Sequence, residues 1–413
     1  ITYYNNSPST LNFLWIQLDQ NIRAKDSDKY KINERFYAGY SVDAKRLPHL
    51  TFDADFDGGF RIISIEDIEG NGLSFHRVKT MMRIDLAEPL KPGSVVKFQI
   101  DWSYLIGNRR DDDERSGYEY FPEDDNYLYA IAQFYPRMAV FDDFNGWQNK
   151  QFLGQGEFTL NFGNFDVKIT APADHVIAAT GSLENESLVL NSIQLERLQS
   201  ARVSFDAPVV IITEEEAVLN EGSRSDQTKT WHYKADNVRD FAWVSSRKFI
   251  WDAQAVQLDQ KTTMAMSLYP KEGNPLWEQE STKAVVNTLK TYSEMTIEYP
   301  YPVAISVHTA AIGMEYPMIC FNYGRPDKKG DYSSMTKWSM IRVIIHEVGH
   351  NFFPMIINSD ERQWTWMDEG LNTFVQYLTE QEWERGYPSR RGPAHMIADY
   401  MRGDKKLISP IMT

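Results

Sequence analysis

The sequence predicts a multi-domain protein: a β-rich N-terminal domain of saddle or sandwich type over residues 1–252, then an α/β, mainly helical domain over residues 253–413. Three observations carry that prediction. Up to Asp252, apolar side chains alternate with polar ones and are interrupted by Gly, Asn and Asp clusters, the period of half-buried strands. After Asp252, apolar residues recur every three or four positions, the period of a helix with one buried face. The 413 residues are 42% hydrophobic and 13% aromatic, enough for two or three cores at about 100–200 residues each.

Taken in chain order, Ile1-Thr2-Tyr3-Tyr4 reads as an early strand. Turns at Asp57-Gly58-Gly59, Gly70-Asn71-Gly72 and Pro92-Gly93 are spaced as an all-β sheet or sandwich requires. Asp53-x-Asp55-x-Asp57-Gly58 opens like a calcium loop, but its twelfth position is Ser64 rather than Glu, so a strand-joining turn is the better reading. Phe158, Leu160 and Phe162 alternate on one side of Gly163-Asn164, and Phe165, Val167 and Ile169 on the other, which predicts a hairpin. The acidic run Asp111-Asp112-Asp113-Glu114 and the polar segment from Glu214 to Thr230 read as exposed loops. Val285, Val286, Leu289 and Tyr292 mark a helix over Leu276 to Met295, and Val303 to His308 is a short strand. A second helix lies within Tyr332 to Phe353, on Met340, Ile341, Ile344, Ile345 and Val348. A third runs from Trp366 to Trp383, with Leu371, Phe374, Val375 and Leu378 on one stripe.

Several function classes are excluded by composition. A net charge of −15 argues against nucleic acid, whose binding rests on clustered Lys and Arg. One cysteine, Cys320, forms no internal disulfide and reads as a small buried hydrophobe. No apolar run approaches the ~18 residues of a transmembrane helix. A chain opening on Ile1, with scarce cysteine, fits export to a periplasmic or extracellular space with the signal removed, although trimming explains Ile1 equally well.

The strongest chemical signal is His346-Glu347-Val348-Gly349-His350. Residues four apart on a helix lie one turn above each other, so both imidazoles project from one face and can grip one ion. Glu347 is offset by roughly a quarter turn, beside the ion, where it can take a proton from a polarised water. Chance produces such a pattern in about one chain of this composition per hundred. A catalytic zinc site needs three protein ligands, and Glu369, separated from His350 by eighteen intervening residues and near the start of the next helix, is the candidate third. A surface acid at a helix N-terminus is the bland alternative for Glu369, and Asp368 could fill that role as well. The other histidines show no ligand spacing.

In these residues the sequence resembles the gluzincin zinc metallopeptidases, specifically the aminopeptidase N family, whose hallmark is His-Glu-x-x-His, eighteen residues, then Glu. Ile312-Gly313-Met314-Glu315-Tyr316 resembles the family's Gly-x-Met-Glu-Asn exopeptidase motif. The resemblance implies a thermolysin-like catalytic domain with one zinc ion on His346, His350 and Glu369 and with Glu347 as general base. It further implies that Glu315 binds the substrate's free α-ammonium and that the Gly313 and Met314 backbone lines the scissile carbonyl. A fixed carboxylate near the metal favours a cationic chain end, so cleavage falls one residue in. Ala132-Gln133-Phe134-Tyr135-Pro136-Arg137 resembles the loop that lends a second amine-binding side chain, with Gln133 the candidate and Tyr135 aligning about as well.

The member is divergent. Phe352-Phe353-Pro354 stands where the family has Trp-Phe-Gly, Ile312 and Tyr316 replace the outer residues of the exopeptidase motif, and Asp368 replaces an Asn. The tyrosine that stabilises the oxyanion in the family is expected beyond residue 413, because Tyr377, Tyr387 and Tyr400 stand too close to Glu369, so the chain reads as a core fragment. The activity implied is a zinc aminopeptidase acting on peptides with a free N-terminus. The alternatives are a zinc endopeptidase of the same fold and a catalytically weak, metal-keeping peptide-binding module.

Overall fold

The structure is a computed structural model describing residues 1–29, 56–109, 115–310, 313–393, 395 and 402. Asp53 and Asp55 of the calcium-like turn, the acidic run 111–114, Ile312 and Tyr400 lie outside the described residues.

In chain order the strands are β1 (Thr2–Tyr4), β2 (Leu11–Gln17), β3 (Arg61–Asp67), β4 (Phe75–Val78), β5 (Met81–Leu90), β6 (Val95–Ser103), β7 (Gly117–Phe121), β8 (Asn126–Ile131), β9 (Arg137–Met138), β10 (Phe141–Asp142) and β11 (Gly146–Trp147). They continue as β12 (Gly163–Pro172), β13 (Val176–Ala179), β14 (Ser182–Leu183), β15 (Val209–Ile212), β16 (Thr228–Val238), β17 (Trp243–Ser246), β18 (Ile250–Gln257), β19 (Thr262–Tyr269), β20 (Val303–His308), β21 (Met314–Tyr316) and β22 (Ile319–Asn322). The helices are α1 (Glu186–Val189), α2 (Ser192–Ala201), α3 (Glu214–Glu221), α4 (Leu276–Met295), α5 (Ser334–His350) and α6 (Glu369–Trp383).

These elements form two compact units, residues 1–112 with 133–161 and residues 113–132 with 162–413. The first unit holds sheets of order β1-β6-β3 and β4-β5-β2-β9 and the pair β10-β11. Its core is the inward half of each alternating strand: Leu14 and Ile16 from β2, Met82 and Ile84 from β5, with Ile65 and Phe98. The turn at Gly70-Asn71-Gly72 is built by Asp67, whose Oδ1 accepts from the backbone N–H of Glu69 (2.8 Å) and Asn71 (2.9 Å), while Gly70 takes a φ of 84°.

The second unit contains β12-β16-β14, β13-β17-β8-β7 and the six-stranded sheet β15-β18-β19-β20-β22-β21. Within that last sheet β19, α4 and β20 form a parallel crossover unit, β20 and β22 are parallel, and β21 is an antiparallel edge. Helices α4, α5 and α6 pack on one another, and α4 and α5 also pack on this sheet.

Several expectations are corrected here. Phe158 to Phe162 is no strand; β12 pairs antiparallel with β16, Phe165 opposite Ala235 and Ile169 opposite Trp231. Alternation reports which face is buried and leaves the partner open. The polar stretch from Glu214 is helix α3, nucleated by a reciprocal capping box between Thr213 and Glu216. On α6, Leu371 and Phe374 are exposed, and the buried face is Asn372, Val375, Gln376, Thr379 and Glu380.

The boundary expected after Asp252 falls inside β18, whose residues Ile250 to Val256 are buried. Asp252 accepts hydrogen bonds from Tyr269 Oη (2.8 Å) and Thr282 Oγ1 (2.5 Å). Burial outweighs both and pushes its carboxyl up to about 7. An acid whose folded pKa is raised holds its proton in the native state after the unfolded chain has lost it. Its contribution to stability is therefore fully present below about pH 4 and is lost as pH climbs to about 7. Denaturant midpoints of Asp252→Asn, measured against wild type from pH 4.5 to pH 8, are expected to improve relative to wild type as pH rises; a constant difference would contradict this.

Candidate metal centre

Helix α5 starts where Ser333 Oγ accepts from the Thr336 N–H (3.1 Å), and it buries Met340, Ile341, Ile344, Ile345 and Val348. That face fixes the rotation of the helix and turns His346 and His350 the same way, their rings edge to face at 4.5 Å between centroids. Their Nε2 atoms stand 3.1 Å apart. Glu369, the first residue of α6, brings Oε2 to 3.4 Å from His346 Nε2 and 3.9 Å from His350 Nε2. A tetrahedral ion with bonds near 2.1 Å requires donors roughly 3.3 Å apart, so this donor set fits a cation of that size.

The far side of each imidazole fits as well. His346 Nδ1 faces Gln376 Oε1 at 2.9 Å. His350 Nδ1 faces the Phe353 carbonyl at 2.8 Å and Asp368 Oδ1 at 2.7 Å. With acceptors facing both Nδ1 atoms, neutral imidazoles would carry their protons there, so that both Nε2 atoms could turn a lone pair to a cation at the common centre. Burial pulls the His350 imidazole down, yet the carboxylates of Asp368, Glu315 and Glu369 overcome it and hold its pKa well above the ordinary value. A bond to His346 holds Glu369 down at about 2 in spite of desolvation. This much negative charge around two imidazoles is an environment that favours a cation.

The Glu347 carboxylate is buried against Gly313, where a Cβ would collide with it and with Val343. Burial raises its pKa, against the pull of both histidines. Glu315 lies on β21, paired with Cys320 of β22, and is also buried and raised well above the usual carboxylate range. Donor atoms of Glu315, Glu347 and His350 lie within 4.8 Å of one another. Met314 is buried on the same strand. Gln133 belongs to the first unit, where it is buried with a φ of 51°. The hydroxyl of Tyr387 donates to the Trp338 carbonyl.

Several supporting residues were not read from the sequence. Gln376 Nε2 donates to Glu380 Oε1 (2.7 Å), which fixes the amide that faces His346. Asn372 Nδ2 donates to the His346 carbonyl (3.0 Å), and Tyr292 Oη donates to Asn372 Oδ1 (2.7 Å). A Cβ on Gly349 would collide with both Asn372 and Tyr292, so the glycine lets α4 and α6 close on α5. Asn372 and Gln376 sit three and seven residues after Glu369, on the face that carries the acid; that spacing was the available signal.

No protein-family model and no curated protein matches the chain. Solved structures do. A zinc metallopeptidase of the M1 family from Deinococcus radiodurans aligns with a TM-score of 0.55 at 13% identity, covering 100% of this chain and 71% of that one. A variant of that enzyme bound to the substrate Tyr-Ser-Ala gives 0.53 at 13% identity, covering 100% and 72%. A two-domain M1 zinc metallopeptidase variant bound to L-tryptophan gives 0.54 at the same identity and coverage. The fold is that of the M1 zinc metallopeptidases. At this identity the likeness speaks for the M1 fold alone, and the chemistry rests on this chain's own side chains.

Proposed function

We propose that this protein is a zinc-dependent aminopeptidase whose thermolysin-like catalytic part holds one zinc ion per chain on His346, His350 and Glu369. The observation that supports it most is the approach of those three donor atoms to within 4.8 Å of one another with a buried carboxylate, Glu347, alongside. A zinc ion held there would polarise a peptide carbonyl and acidify a water molecule. Glu347 takes the proton from the attacking water and returns it to the leaving amine, a task its raised pKa suits. Glu315 holds the substrate's α-ammonium, a cation that repays the cost of a buried carboxylate. The backbone of Gly313 and Met314 lines the scissile carbonyl. The M1 neighbour bound to a tripeptide supports a peptide substrate.

Metal analysis and a panel of aminoacyl fluorogenic substrates, free and N-acetylated, test this reading. The expected result is one zinc per chain with cleavage of free substrates only. Equal cleavage of acetylated peptides would make the enzyme an endopeptidase. Bound zinc with no cleavage of either would leave a peptide-binding module.

A further inference from the structure

Arg239 follows directly on β16, is 2% exposed, and spends its guanidinium on the segment that leads away from α5. Its Nη1 donates to the Pro354 carbonyl (2.8 Å), and its Nη2 donates to Asn358 Oδ1 (2.6 Å) and to the Ser359 carbonyl (3.0 Å). These acceptors bracket residues 354–359, in the first half of the eighteen-residue connection between His350 and Glu369. Tyr301 supports the same stretch, its Oη donating to the Met355 carbonyl at 3.1 Å. Immediately before it lies Phe353, whose carbonyl accepts from His350 Nδ1.

We infer that Arg239 is a positioning residue for the metal centre, a clamp that holds the connecting segment so that the Phe353 carbonyl orients His350 and Glu369 returns to the two histidines. This rests on the zinc-site reading above. Two donors of that site share a helix and keep their spacing without help; the third arrives through a long connection whose freedom would otherwise be lost on each binding event. A planar fork with parallel donors suits two carbonyls and an amide oxygen at once, which an ammonium cannot match. Burial pulls the guanidinium down to about 10, so it stays charged at neutral pH.

The test uses the full chain, stripped of metal by a chelator and titrated with zinc in competition with a chromophoric chelator, with cobalt(II) spectra as a second readout. Arg239→Met is expected to weaken zinc binding about 10- to 100-fold, the usual effect of losing support behind metal ligands, and to broaden the cobalt spectrum. Arg239→Lys is expected to recover only part of the affinity. Asn358 is exposed, so Asn358→Ala should fold as wild type does and still lose zinc affinity severalfold; it decides the matter if Arg239→Met does not fold. Wild-type affinity and spectra in both Asn358→Ala and a folded Arg239→Met would overturn the clamp while leaving the zinc site intact. A wild-type chain that binds no zinc would overturn the zinc site and the clamp with it.

Discussion

Glu347→Gln is expected to bind zinc as tightly as wild type and to lose about 10²- to 10⁴-fold in kcat on aminoacyl substrates, the range for removing a general base. Glutamine has the shape of glutamate, so it fits beside Gly313, where there is no room for a larger group. It retains a hydrogen-bonding oxygen and loses only the capacity to accept a proton at neutral pH. His346, His350 and Glu369 keep their positions, because their supports, Gln376, the Phe353 carbonyl and Asp368, do not run through residue 347. Equal zinc content and collapsed turnover together isolate the proton transfer. Turnover within tenfold of wild type at equal zinc content would remove Glu347 from the base role. Loss of zinc would instead assign the residue to the binding of the ion.

What could be read along the chain, and what could not, follows the range of the forces involved. Helix α4 spans Leu276–Met295, the limits its apolar spacing predicts, because a long amphipathic stretch carries its own period. The four-residue spacing of His346 and His350 is a property of one helix and is visible without a fold. Glu369 could be nominated from spacing, but the contacts around its connection and helix, Arg239 on the Pro354 carbonyl, Asn372 on the His346 carbonyl and the close packing of Gly349 on Asn372, each join residues more than twenty apart in sequence. The stripe on α6 misled for a related reason. Leu371 and Phe374 suggest a buried face, whereas the helix turns Asn372 and Gln376 inward to serve His346, so polar demands at the site override hydrophobic patterning. The capping box of α3 was local and legible, and was hidden only by the polarity of the segment. The exchange of β12 to β16 as its partner was not legible at all, since a period of two carries no address.

Lys248→Met is expected to cost about 3–5 kcal/mol of stability, the usual penalty for removing one partner from a buried ionic cluster. The Lys248 side chain is fully buried between β17 and β18, and its Nζ meets Asp124 Oδ2, Glu221 Oε1 at 2.7 Å and Glu272 Oε1 at 3.0 Å. Lys271 shares Asp124 and Glu221 from a more open position. The three carboxylates converge closely enough to hold a metal ion, and the ammonium of Lys248 occupies that place. The Phe121 ring, 4.6 Å from Nζ, closes the site on another side. Four segments meet at this one charge: the β7–β8 turn, the end of α3, the link into β18 and the short helix after β19. Methionine fills a similar volume, so no large cavity opens; the loss arises because three acids are left with a single half-exposed lysine. Lys328→Met removes the same charge from the exposed pair with Glu123 and serves as the reference, with an expected unfolding midpoint equal to wild type. Comparable denaturant midpoints for the two variants would show that the buried cluster contributes no more than a surface ion pair, and that the four segments are held together by packing alone.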